Sequence, residues 1–150
     1  MQRVRGGAVD VDGARIGEIS SGLVVLVGIG ARDTADQAER LARKVAELRI
    51  FEDERGRMGR SVGDAGGSVL AVPQFTLYAD VRKGRRPDLG AAAPPDAGGR
   101  LFDAFCGALR AAGVSVATGR FGASMRVLID ADGPVTIVAS TDRWSEGELS

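Results

Sequence analysis

The stretch Ser68-Val69-Leu70-Ala71-Val72-Pro73-Gln74-Phe75-Thr76-Leu77-Tyr78 is rich in strand formers and predicts a β-strand through the middle of the chain. Pro73 interrupts it. Proline has no N–H to give to a ladder, so the strand is expected at a sheet edge, or bulged at that point. Alternate strand residues face opposite sides, which puts Gln74 and Thr76 on one face and Phe75 on the other.

Working outward, Leu23-Val24-Val25-Leu26-Val27 is a continuous apolar run that stops at Gly28, the pattern of a strand buried on both faces. Val9, Val11 and Ile16 flank Asp12-Gly13, a dipeptide suited to a tight hairpin. Thr34 and Gln37 have capping-box spacing, and Ala38, Leu41, Ala42, Val45 and Leu48 follow at helical intervals. That helix should end near Arg49, before a short strand at Ile50-Phe51 and a turn at Glu54-Arg55-Gly56. Residues 80–95 read as a loop, basic first and then rich in Ala and Pro. A second helix is expected over residues 96–112, with Leu101, Phe102, Phe105 and Leu109 as its buried stripe and Gly113 ending it. Residues 114–117, 125–129 and 135–138 predict three closing strands. This order predicts an α/β fold: two stacked mixed β-sheets in a barrel-like roll, with two main helices outside. The domain is expected over residues 1–139, followed by a polar tail, 140–150.

At 150 residues and 44% hydrophobic content, the chain is expected to form one domain with a real core. Lys plus Arg and Asp plus Glu number 20 each, so any nucleic-acid contact must come from a local cluster. The sharpest cluster is Arg82, Lys83, Arg85 and Arg86, directly after the polar strand. The N-terminal residues lack the apolar stretch of a signal peptide, and the longest apolar run is too short to span a bilayer. With Cys106 as the lone cysteine, the expectation is a soluble cytoplasmic protein with no disulfide and no membrane contact. Cys106, in mid-helix, reads as a core residue. No Cys/His spacing suggests a metal, and no cofactor is expected. Gly28-Ile29-Gly30 follows a strand, but the third glycine of a dinucleotide fingerprint would fall at Asp33.

The chain has no histidine, which excludes most familiar hydrolase mechanisms. A second short segment, Asp132-Gly133-Pro134-Val135-Thr136, reads locally as a turn between strands. Together with Pro73-Gln74-Phe75-Thr76-Leu77-Tyr78, it resembles the two signature motifs of the D-aminoacyl-tRNA deacylases. The resemblance extends from Gln2 to about Ala139. It includes Leu48-Arg49-Ile50-Phe51-Glu52-Asp53, Arg82-Lys83-Gly84-Arg85-Arg86-Pro87, Ala92-Ala93-Pro94-Pro95 and Phe121-Gly122-Ala123, in order.

The resemblance implies a homodimer that removes D-amino acids from mischarged tRNA and also accepts glycyl-tRNA. It implies that Gly133-Pro134 enters the partner subunit's site with a cis peptide bond. The backbone N–H groups of Phe75 and Thr76 would stabilise the oxyanion, and the ribose 2′-hydroxyl beside the ester would assist. Gln74 and Thr76 would position the substrate. Thr76 as a direct nucleophile is the rival role, and it lacks an activating base nearby in sequence. Pro73 would sit at the substrate. Met125 is expected in or beside the pocket, with plain core packing as the alternative. Arg82, Lys83, Arg85 and Arg86 are placed to meet the phosphates of the tRNA acceptor end, with a solvated loop as the alternative. Two departures from the family pattern stand out. Pro73 replaces the usual serine, which raises the alternative of relaxed chirality, and Ala131 replaces an asparagine. A dimeric tRNA-binding module without catalysis is the remaining alternative.

Overall fold

In the computed structural model, which describes residues 1–141, the first strand organises the chain. β1 (Gln2–Val11) is used along both of its edges. One edge pairs with β3 (Gly22–Val27) through Gln2–Val4, and then with β2 (Ala14–Ile19) through Gly7–Val11. The other edge pairs with β8 (Arg126–Thr136). The β1–β2 turn is the expected Asp12-Gly13, with φ of 51° and 79°. β6 (Ser68–Pro73) and β7 (Ser115–Thr118) extend the sheet beyond β3, both in parallel register. Parallel neighbours need crossovers. α1 (Ala35–Glu47), with β4 (Phe51–Glu52) and β5 (Met58–Arg60), lies in the first crossover, and α2 (Pro95–Ala111) in the second.

The two layers expected from sequence are the two halves of this mixed sheet, which rolls into a nearly closed barrel with both helices outside. Closure is tight where β2 meets β7: a Cβ on Gly17 would stand 2.8 Å from the Thr118 carbonyl oxygen. Strand alternation supplies both cores. Leu23, Val25, Val27, Val69 and Ala71 face the helices and meet Ala42, Val45, Phe102, Phe105 and Leu109. Val24, Leu70 and Val72 face the roll's interior and meet Val4, Val9 and Ile19.

α1 carries the full Thr34/Gln37 capping box. Cys106 is buried in the helix-side core, as expected. Burial pushes its thiol from 9.0 up to about 11. The neutral thiol is therefore favoured by folding, and stability should fall as pH rises between about 9 and 11, where only the unfolded chain ionises. Urea titrations across that window should show the decline in the wild type and lose part of it in Cys106→Ala.

Three expectations need correction. The strand from Ser68 stops at Pro73, and Phe75–Tyr78 forms a 3-10 turn. The ladder ends there because β3 stops at Val27, opposite Pro73, and the pairing with β7 has already ended at Ala71. Pro73 is tolerated in an interior strand because it is the last residue of that strand, where a missing N–H costs little. Alternation therefore does not place Gln74 and Thr76. Residues 125–129 and 135–138 are not two strands: β8 runs unbroken from Arg126 to Thr136. Gly133-Pro134 lies within β8 and is no terminal turn. Of the expected polar tail, residues 142–150 lie outside the described residues.

Candidate active site

β3 and β6 run parallel and end together at Val27 and Pro73. A cavity of about 540 Å³ opens at these ends. Pro73, Gln74 and Phe75 form one wall, and Met125 and Val127 another. Loop residues Leu89, Ala92 and Ala93, with Gly98 of α2 and Phe121, complete it. Two glycines make room for its large side chains. A Cβ on Gly98 would stand 2.8 Å from the Phe121 ring, and one on Gly119 would stand 2.7 Å from Met125 Sδ. The Arg120 N–H also points at that sulfur, 3.4 Å away.

Sixteen residues line the cavity, and Gln74 alone among them has a polar side chain. Among the described residues, no carboxylate, amine, thiol or hydroxyl side chain lines it, and no group of His, Cys, Asp and Glu could hold a metal ion. The sixteen lining residues therefore offer no side-chain base for proton transfer.

The 3-10 turn supplies backbone donors. The Phe75 and Thr76 N–H groups have no acceptor among the described residues, whereas Gln74 N–H donates to the Val27 carbonyl at 2.8 Å and Leu77 N–H to the Gln74 carbonyl at 3.3 Å. Phe75, Thr76 and Leu77 are exposed. Gln74 Nε2 donates to Thr76 Oγ1, so the two side chains meet despite the loss of strand geometry. An amide cannot take a proton from the Thr76 hydroxyl, which leaves Thr76 without an activating base.

The basic loop is a finger. Asp80 and Asp88 pair in both directions, N–H to O at 2.8 and 2.9 Å, and Gly84 turns the tip with a φ of 69°. Both ends of the finger return to the site, at Tyr78 and Leu89. Arg82 folds back onto Asp80, and this pairing lowers the Asp80 pKa and raises that of Arg82. Lys83, Arg85 and Arg86 are exposed and form no ion pair among the described residues.

The structure does not bring Gly133 and Pro134 to this cavity. Their peptide bond is cis, and both residues are exposed. The reason is a wide bulge. Ala131 pairs with Val4 and Thr136 with Gln2, so four β8 residues stand opposite Arg3 alone. The excess backbone bows outward and displays Gly133-Pro134. Arg3 fills the space behind. It is 7% exposed, its Nη1 donates to the Ile50 carbonyl at 2.8 Å, and its Nε lies 3.1 Å from Asp132 Oδ2, at an angle that falls short of a hydrogen bond. A Cβ on Gly133 would stand 3.3 Å from Arg3 Nη2. Sequence reading missed Arg3, because an arginine near the start of a strand looks solvated until its cross-strand partner is known. It also missed Leu89, Gly98 and Val127.

The family model described as D-Tyr-tRNA(Tyr) deacylase matches residues 1–140. A D-aminoacyl-tRNA deacylase of Thermomicrobium roseum is 56% identical over 149 residues, which is 99% of this chain and 97% of that one. One from Heliobacterium modesticaldum is 56% identical over 138 residues, 92% of each chain. Among solved structures, the c-Myc DNA Unwinding Element Binding Protein superposes with a TM-score of 0.85 at 40% identity, covering 93% of this chain and 95% of that one.

Proposed function

The chain belongs to the D-aminoacyl-tRNA deacylase family, and from that premise we propose that it hydrolyses the ester of D-aminoacyl-tRNA and of glycyl-tRNA while sparing L-aminoacyl-tRNA. The observation that carries this reading is a cavity whose sole polar side chain is Gln74, beside two unpaired backbone N–H groups. Ester hydrolysis needs an oxyanion site and a way to activate water. The Phe75 and Thr76 N–H groups suit the first, at about 3–4 kcal/mol per donor. The substrate's own 2′-hydroxyl supplies the second, so the site needs no histidine.

Chirality is sorted by main chain. Carbonyls of Gly133 and Pro134 hold the substrate's α-amino group. An L side chain then meets the cavity wall, while a D side chain, or glycine's hydrogen, does not. Gly133 belongs to a second copy of the chain in this scheme. Neither Gly133 nor Pro134 lines the cavity of its own chain, which β8 reaches only at Val127, six residues earlier. A homodimer, measurable by sedimentation, is the arrangement that completes the site.

Purified protein should release D-tyrosine and glycine from charged tRNA and leave L-tyrosyl-tRNA intact. A folded protein inactive on both D-tyrosyl- and glycyl-tRNA would overturn the proposal. Pro73 lines the cavity, so the L-tyrosyl sample also tests the relaxed chirality that this residue raised as an alternative. Cleavage there, corrected by Pro73→Ser, would favour that second reading.

The finger makes phosphate contacts. Replacing Lys83, Arg85 and Arg86 together with alanine should raise KM about 10-fold at low salt and flatten the log KM–log salt slope by ~2–3, with kcat unchanged. Arg82→Ala should do much less, since Asp80 already occupies that guanidinium. Steady-state kinetics at several salt concentrations distinguish the two.

A further inference from the structure

The Gly28-Ile29-Gly30 segment is no nucleotide fingerprint, but both glycines are needed by Tyr78, the last residue of the 3-10 turn and the chain's only tyrosine. A Cβ on Gly30 would stand 2.7 Å from the Tyr78 hydroxyl oxygen and 2.8 Å from Cζ. One on Gly28 would stand 3.0 Å from Leu77 Cβ and 3.3 Å from the Tyr78 ring. Asp33 ties the assembly together. Its Oδ2 accepts the Gly30 N–H at 2.7 Å and the Tyr78 hydroxyl at a longer 3.3 Å. The same 28–33 loop also grips the far side of the cavity. Ala93 N–H donates to the Ile29 carbonyl and Ala31 N–H to the Ala91 carbonyl, both at 2.9 Å.

The turn needs such an anchor. None of its four residues is buried, and the three that precede Tyr78 are exposed. Its unpaired N–H groups belong to Phe75 and Thr76, and oriented donors lose effect steeply when they drift, by ~100-fold for an ångström.

We infer that Asp33 and Tyr78 are positioning residues, which clamp the Phe75–Tyr78 turn to the 28–33 loop and so fix the orientation of the Phe75 and Thr76 N–H groups beside the cavity. The inference rests on the proposed deacylation. Neither residue lines the cavity. Their effect should therefore appear in the rate at saturation and not in the concentration needed to reach it.

Single-turnover deacylation of D-tyrosyl-tRNA tests this with Tyr78→Phe, Asp33→Asn and the double variant. Each single change should slow the saturated rate ~5–20-fold, with half-saturation moved less than about 2-fold, and the double variant should be no worse than about twice the weaker single. Gly30→Ala, which displaces the ring, should lose at least as much. Wild-type rates in both single variants, multiplicative losses in the double, or a change confined to half-saturation would overturn the inference. A spectroscopic arm stands apart from activity. With 3-fluorotyrosine incorporated, the single fluorine resonance should move in Asp33→Asn, and should move again when a non-hydrolysable D-tyrosyl-adenosine amide binds the wild type. An inactive wild type would defeat the deacylase reading, and a resonance unmoved by Asp33→Asn would defeat the clamp.

Discussion

A D-aminoacyl-tRNA whose terminal adenosine lacks its 2′-hydroxyl should be deacylated at least ~100-fold more slowly than the normal substrate, a loss of about 2.7 kcal/mol in transition-state stabilisation. The expectation follows from the cavity. A side-chain base would have to reach the scissile ester, and none of the sixteen lining residues carries one. Gln74 can donate and accept hydrogen bonds but cannot remove a proton at neutral pH. In the proposed scheme the hydroxyl beside the ester relays the proton that no lining side chain can take. Thr76→Ala separates this scheme from its rival. If Thr76 only helps to place Gln74 and the substrate, the variant should keep about a tenth of the rate or more. If Thr76 attacks the ester, the variant should be dead, and the deoxy substrate should be cleaved nearly normally by the wild type. The measurement is single-turnover release of D-tyrosine from matched ribose and deoxyribose termini, with native folding of the variant checked by circular dichroism.

Elements with local causes were legible in the sequence. The Asp12-Gly13 hairpin, the Thr34/Gln37 cap and the stop at Gly113, with its φ of 84°, each follow from chemistry within a few residues. So does the both-faces burial of β3, apart from Leu26, which is 36% exposed. What failed was set by partners far along the chain. Gln74-Phe75-Thr76 has the composition of a strand, yet the pairing that would make it one runs out at Val27 and Thr118, a limit that no local pattern records. Gly133-Pro134 has the composition of a turn, yet pairing with β1 on both sides keeps it in a strand and bows it outward. The site shows the same division. Pro73, Gln74 and Phe75 were legible from their motif, and Met125 was read as packing in or beside the pocket, with a core role as the plainer alternative. Leu89, Gly98 and Val127 come to the cavity only through the crossover of α2 and the return of β8.

Arg3 is where this non-local design is most exposed to test. Arg3→Ala should destabilise the protein by about 2–4 kcal/mol and should also blunt the discrimination between D- and L-substrates. The stability term has two sources. The Ile50 carbonyl loses a charged donor at 2.8 Å, and Asp132 loses one of its two arginines. Removing one partner of a buried pair can cost ~3–5 kcal/mol. Asp132 is 31% exposed and keeps Arg5 at 3.2 Å, which brings the expected figure toward the lower end of that range. The functional term follows from the bulge. Four residues bow out opposite Arg3, and its guanidinium lies close behind Gly133, where an added Cβ would stand 3.3 Å from Nη2. In the proposed scheme the Gly133 and Pro134 carbonyls would shift without that support, and a selector made of backbone would have no side chain with which to compensate. Arg3→Lys keeps the charge but lacks the planar fork that reaches Ile50 and Asp132 together, so it should recover part of the stability and less of the selectivity. Urea denaturation of the three proteins measures the first quantity, and the ratio of kcat/KM for D- and L-tyrosyl-tRNA measures the second. An Arg3→Ala protein that unfolds earlier yet retains the wild-type ratio would show that the guanidinium supports the sheet alone and that the bulge holds its shape unaided.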